Sequence, residues 1–312
     1  MSKPAELTED TRELGSRQRQ FQLTGVLLAN VATLTWATNM TLGRWLRDDI
    51  GPLTLAAARF CIASILFTLL LQRRPPEERR LGADRWWLVA MGLTGLVFFA
   101  PALYLGLRFT TTVNATLING LGPLITGLVA ALLIQEAMSR RQVIGAVVGL
   151  AGVLVLISRG SLALWRSMDI NAGDLIMIGA VALWSLYSVL ARRVMRGRSA
   201  LSATALSTFL ALPLLLLAAA WEISHLGVRL SPQLLLAILY IGIAPTVTGF
   251  LAWNEAIRRL GSSGAMVFYN TLPLYGALLG VLLLGESIGW SHLLGGTLII
   301  GGGLYAARGQ RR

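Results

Sequence analysis

A chain of 312 residues with 13% charged and 55% apolar residues carries about half the charge of a globular protein, which excludes a soluble domain and points to repeated membrane crossings. The formal charge of +12 does not mark a nucleic-acid binder, because the basic residues fall almost entirely between apolar segments. Cys61 stands alone in an apolar run, and His225 and His292 have no metal-ligand spacing, so no disulfide, metal or cofactor is expected.

In chain order, residues 1–20 are polar with mixed charge and lack the apolar core of a cleavable signal peptide, which predicts a short cytoplasmic arm. Ten apolar segments follow, near 21–45, 52–72, 86–108, 110–135, 140–158, 173–195, 199–221, 233–257, 262–285 and 289–307. Each approaches the ~20 residues that cross a hydrocarbon core. Trp45, Trp86, Trp87, Trp221 and Trp290 lie near segment ends, as interfacial anchors do. The expected fold class is an all-α integral membrane protein with ten transmembrane helices. Twenty lysines and arginines fall in the arm, the tail and alternate loops, against six on the opposite side, which predicts cytoplasmic N and C termini.

The chain then repeats itself. Asn114–Glu136 (NATLINGLGPLITGLVAALLIQE) returns as Gly264–Glu286 (GAMVFYNTLPLYGALLGVLLLGE), with Pro123 on Pro273 and Glu136 on Glu286, an offset of 150. Trp36 falls on Trp184 and Gly25 on Gly173 at an offset of 148; Gly145 falls on Gly295 and Gly152 on Gly302. Five helices per copy is an odd number, so the second copy must enter the membrane from the opposite side. The expected organisation is an arm at 1–20, inverted repeats at 21–160 and 161–308, and a basic tail at 309–312. Inverted repeats place a substrate site near the bilayer midplane between the halves. A duplication with a purely structural role is the plainer alternative, but polar, proline-interrupted membrane helices are costly to keep for packing alone.

The tryptophans of the first and sixth segments, Arg59 in the second, and the Asn/Ala-x7-Pro-x12-Glu run of the fourth and ninth resemble the paired EamA domains of the drug/metabolite transporter superfamily. The resemblance covers roughly 21–308 and is strongest to bacterial exporters of aromatic amino acids. It implies a multi-pass protein of the bacterial inner membrane, an export direction, and peripheral placement of helices 5 and 10, whose glycines serve packing or contact in a homodimer.

Polar and aromatic side chains at mid-helix depth supply the candidate substrate-binding residues: Trp36, Asn39, Arg59, Phe99, Tyr104, Asn114, Asn119, Trp184, Tyr187, Trp253, Asn254, Tyr269 and Asn270. Amides both donate and accept, which suits a zwitterion, and aromatic rings offer apolar walls and cation–π faces. The mix suits amino acids, above all neutral ones with large side chains; an exporter of nucleosides, other metabolites or cationic drugs is the runner-up. The bland reading makes several of these residues interhelical glue. Arg59 is either a snorkelling arginine or a docking group for a carboxylate, and its duplicated position is the neutral Ser207. Glu136 and Glu286 read as caps or ion-pair partners, and Glu255 as a helix-end partner of Arg258 and Arg259. No carboxylate falls near the middle of a segment, which predicts facilitated transport or exchange rather than tight proton coupling. Pro101, Pro123, Pro245 and Pro273 are the expected hinges for alternating access. No nucleophile, acid–base pair or metal cluster sits at membrane depth, so an enzyme is not expected.

Overall fold

A computed structural model of the chain describes residues 4–134, 139–159, 161 and 171–307. Glu136 and the 309–312 tail therefore lie outside the described residues. All described elements are helical, with no strand among them. The first half contains α1 (Pro4–Trp45), α2 (Pro52–Gln72), α3 (Pro76–Arg79), α4 (Arg85–Gly92), α5 (Phe99–Phe109), α6 (Thr112–Asn119), α7 (Gly122–Ile134) and α8 (Arg140–Ile157). The second contains α9 (Ala172–Val194), α10 (Ala200–Leu226), α11 (Pro232–Ile241), α12 (Gly249–Tyr269), α13 (Leu272–Leu284) and α14 (Trp290–Ala307). Seven helical runs among the described residues are long and apolar enough to cross a membrane.

The helix starts follow from local chemistry. Proline opens α2 and α11, where a missing N–H costs nothing, and side chains of Thr111, Asn171, Ser199 and Ser231 accept from the first-turn amides of α6, α9, α10 and α11. Ser139 and Gln142 close a reciprocal capping box on α8. Outward positions carry exposed apolar side chains such as Leu27, Ile65, Leu132, Leu217 and Leu282, as a lipid-facing surface requires. The five tryptophans expected near segment ends are all exposed.

Three boundaries depart from expectation. Helix α1 begins at Pro4, so the arm continues into the first apolar segment without a break. Helix α10 runs on to Leu226 and carries Glu222 into a buried position. The connection expected near 258–261 is helical, and the interruption comes instead at Asn270–Thr271. Physics places it there: Pro273 has no N–H to offer the carbonyl of Tyr269 four residues back. Pro123 stands in the same relation to Asn119, and the chain is interrupted at Gly120–Leu121.

The interruptions at 120–121 and 270–271 thus sit at duplicated positions. So do two π-helical segments, Leu93–Phe98 and Gly242–Thr248, which join α4 to α5 and α11 to α12. A π-bulge weakens the ladder locally and frequently marks a functional site. The hinge prolines gather at these features: Pro245 is within the second π-segment, Pro101 follows the first, and Pro123 and Pro273 open the helices after the breaks.

Helices α8 and α14 form the most extensive helix contact of the fold. A Cβ added at Gly145 would strike the carbonyl of Gly302, and one added at Gly152 would lie 2.6 Å from the carbonyl of Gly295. Each glycine therefore meets the duplicate of the other. These small residues are spent on an intrachain contact.

Candidate functional site

Four residues from equivalent places in the two halves meet at the centre. The rings of Trp36 (α1) and Trp184 (α9) lie 5.8 Å apart, edge to face. Tyr269 Oη donates a 2.8 Å hydrogen bond to Asn119 Oδ1, linking positions 150 apart at the tips of the interrupted helices. When a residue touches its own duplicate, the local two-fold relating the copies passes between them. Both pairs line one cavity, together with Asn39, Met40, Arg59, Phe60, Phe99, Leu103 and Phe250.

The walls are fixed by specific bonds. Trp36 Nε1 donates 3.1 Å to the Pro245 carbonyl, which the π-segment exposes because Gly249 N–H reaches back to Ala244 instead. Trp184 stacks on Tyr187 at 5.0 Å and 24°, and meets Phe99 at 5.0 Å and Phe250 at 5.6 Å. Arg59 is 4% exposed and points inward, so the snorkelling arrangement is not the one found. Its Nε donates 2.9 Å to Thr246 Oγ1 and its Nη1 donates 2.8 Å to Tyr104 Oη. Tyr104 Oη in turn donates 2.7 Å to Asn39 Oδ1.

The space open to the centres of water-sized molecules in this cavity is about 40 Å³, enough for a few waters and too small for an amino acid. Beyond a shared wall of Trp184, Phe250 and Tyr269 lies a wider chamber of about 390 Å³, lined by Thr126, Tyr187, Trp253 and Asn254 and reaching Arg192 and Met195. At the opposite end of the fold, three carboxylates of the second half, the buried Asp174 and Glu222 and the half-buried Glu286, bond to the first half. Glu286 accepts from the amides of Thr112 (2.7 Å) and Val113 (2.9 Å) at the start of α6. Glu222 accepts from the amides of Leu53 (3.2 Å) and Thr54 (2.7 Å) and from the Thr54 hydroxyl at the start of α2. Asp174 accepts from Thr110 Oγ1 and from Asn114 Nδ2. A helix N-terminus attracts anions through its unpaired N–H groups, so the Glu222 and Glu286 contacts are charge-assisted clasps between halves, and Asp174 makes a third clasp through side chains.

At the Arg192 end a different set of contacts joins the halves. Arg198 Nη2 donates 2.8 Å to Asp84 Oδ1, and Ser199 and Ser202 donate to the side chain and carbonyl of Glu78. The Arg198 guanidinium, through its hydrogen bonds, holds the Asp84 carboxyl below the usual carboxylate range. Glu255 pairs with Arg259 at 2.6 Å.

Of the predicted residues, Trp36, Asn39, Arg59, Phe99, Asn119, Trp184 and Tyr269 line the central cavity, with Tyr104 directly behind Arg59. Tyr187, Trp253 and Asn254 line the wider chamber with Trp184 and Tyr269. Asn114 and Asn270 line neither. Asn114 belongs to the Asp174 clasp, and Asn270 is buried with neither amide atom bonded among the described residues, its Oδ1 3.0 Å from where a Cβ on Gly303 would stand. Sequence reasoning missed Phe250 and Thr246. Phe250 precedes Trp253 by three residues on α12, a same-face spacing that could have found it. No cluster of metal-ligating side chains occurs among the described residues.

Two stretches of the chain, 23–158 and 171–307, match the EamA-like transporter family. The chain belongs to that family. It is a multi-pass membrane transporter built from two EamA repeats. It is 27% identical over 284 residues to the uncharacterized transporter YyaM of Bacillus subtilis, covering 90% of this chain and 92% of that one. The uncharacterized inner membrane transporter YhbE of Escherichia coli is 24% identical, with 92% of each chain covered. A solved crystal structure shares the architecture at a TM-score of 0.64 and 25% identity, covering 90% of this EamA protein and 97% of the other chain.

Proposed function

We propose that this EamA protein exports amino acids, aromatic and other neutral ones, across the bacterial inner membrane by alternating access. Ten crossings, arranged as inverted repeats at 21–160 and 161–308 between an arm at 1–20 and a tail at 309–312, leave both termini in the cytoplasm. The observation that carries this reading is the cavity between Trp36 and Trp184 and between Asn119 and Tyr269, where duplicated positions meet across the local two-fold. Inverted-repeat carriers bind cargo at that place and rock their halves about it.

The lining supports a large neutral amino acid: rings for its body, and amides and a guanidinium for its polar end. With the Arg192 end cytoplasmic, the chamber beside Trp184 is the entrance, and the aromatic wall between the two spaces moves before cargo reaches the centre. The three carboxylate clasps then hold the periplasmic face shut. Among the described residues no Asp or Glu lines either space, which favours facilitated transport or exchange over tight proton coupling. The stacked Trp184–Tyr187 pair favours nucleosides as a second reading, since a ring slot accepts any π-face. The test is counterflow in proteoliposomes preloaded with amino acids, nucleosides or cationic drugs. Accumulation of labelled phenylalanine driven by amino-acid preload is expected; exchange of nucleosides alone replaces the cargo.

A further inference from the structure

Arg59 is a buried cation without a counter-ion. It takes part in no ion pair among the described residues, and the three carboxylates nearest that end are engaged elsewhere: Asp174 by Thr110 and Asn114, Glu222 by α2, and Glu286 by α6. Its hydrogen-bond partners, Thr246, Tyr104 and Asn39, are all neutral. Burying an uncompensated guanidinium is expensive, and the cost is tolerated where an arriving anion supplies the missing charge.

The fork is also left half used. Nε and Nη1 are occupied, the latter with a 3.5 Å contact to Asn39 Oδ1 besides its bond to Tyr104, while Nη2 makes no hydrogen bond among the described residues. Nη2 is not one of the sealed, unpartnered atoms of the interior, and Arg59 lines the cavity, so this arm of the fork opens into it. The occupied arms are held by groups that are themselves fixed. Thr246 Oγ1 donates 2.7 Å to the Ile241 carbonyl, and Tyr104 is pinned between Asn39 and Gly43, where a Cβ would lie 2.7 Å from its ring. Phe60 lies under the guanidinium at 4.8 Å. The free Nη2 of this preoriented guanidinium, facing a largely aromatic space, can donate a charge-assisted hydrogen bond to an arriving carboxylate.

For an ammonium the described lining offers ring faces but no carboxylate. The cavity lining contains no Asp or Glu, and the position duplicated from Arg59 is Ser207, whose hydroxyl donates to the Thr204 carbonyl. We propose that Arg59 reads a carboxylate on the cargo, that the aromatic wall receives its apolar body, and that the amino group is dispensable. The substrate class of the site is then the aromatic or branched monocarboxylate, of which neutral amino acids are one kind. A phosphate dianion would find half the charge it needs. This inference rests on the transport reading above and refines its cargo.

The experiment is counterflow of labelled phenylalanine in proteoliposomes, with phenylalanine, 3-phenylpropionate, phenethylamine or phenyl phosphate as preload, for the wild type, Arg59→Gln and Arg59→Lys. Thermal shifts of the detergent-purified proteins with each compound give a readout independent of transport. Phenylalanine and 3-phenylpropionate are expected to drive exchange within a few-fold of each other, and phenethylamine and phenyl phosphate at least about tenfold less, as loss of a charge-assisted bond implies. Arg59→Gln is expected to lose at least about tenfold with either carboxylate, and Arg59→Lys to retain part of it. Phenethylamine or phenyl phosphate matching phenylalanine overturns the proposal, as does wild-type exchange by Arg59→Gln. The wild-type panel decides the matter even if Arg59→Gln does not fold. Exchange confined to nucleosides or cationic drugs in the counterflow panel proposed above overturns the carboxylate inference and leaves transport standing; a folded protein that exchanges and binds nothing removes both.

Discussion

Tyr269 gives its phenolic hydrogen to Asn119, its own counterpart in the other half of the chain, at 2.8 Å. Both residues end a helix whose next carbonyl partner a proline has removed. The bond therefore ties two helix tips together at the place where the fold is most easily bent. Replacing Tyr269 by Phe and Asn119 by Ala, singly and together, is expected to give a coupling of about 1 kcal/mol in thermal or denaturant stability. A coupling near zero would mean that the two tips do not communicate.

Glu286→Gln keeps the shape of the clasp on α6 and removes its charge. Charge-assisted hydrogen bonds contribute about 1.5–3 kcal/mol each, so the closed end is expected to open more often. With Cys61 replaced by Ser and Leu103 in the cavity wall replaced by Cys, an impermeant thiol reagent added at the Glu286 side should label faster in the Glu286→Gln background. Equal labelling rates would show that this clasp does not govern access.

Gly51 leaves room for Glu222. A Cβ there would fall inside the carboxylate that caps α2. Gly51→Ala is expected to destabilise the protein by about 1–3 kcal/mol, as overpacking does, and to lower the thermal midpoint. Gly179→Ala, at a glycine with open space around it, serves as the control and should change little.

The Asp84–Arg198 pair predicts a pH dependence. The folded Asp84 pKa lies below its ordinary value, so its stabilisation is complete above the unfolded carboxylate pKa near 4 and is lost as pH falls through the lower folded value. The midpoint difference between wild type and Asp84→Asn should be constant from pH 7 to 5 and shrink below pH 4. A partly exposed pair contributes on the order of 1 kcal/mol or less, so the gap should be small. A gap that widens on acidification would contradict the assignment.

Much of this architecture is legible in the chain because hydropathy fixes segments and an offset of 148–150 fixes the duplication. Trp36, Trp184 and Asn119 could be found as costly side chains at equivalent depth. Asn114 and Asn270 misled for a geometric reason. Five residues separate Asn114 from Asn119, about 140° around a helix, so both cannot face the centre. Asn270 stands about 100° from Tyr269, and Tyr269 takes the inward place. Asp174 and Glu222 escaped notice because a carboxylate near a segment end looks like the start of a loop. Only the packed fold shows that each reaches across to hydroxyls or amides of the other half.

The clasps also bear on how the protein is made. The amides that open α2 and α6 are synthesised early, while their acceptors, Glu222 and Glu286, follow about 170 residues later. Until then the first half lacks the carboxylate acceptors for the N–H groups at two of its helix ends. A first half expressed alone would keep that defect for its whole lifetime. Biogenesis thus leaves the ribosome's last product, the C-terminal half, to finish what the N-terminal half cannot complete by itself.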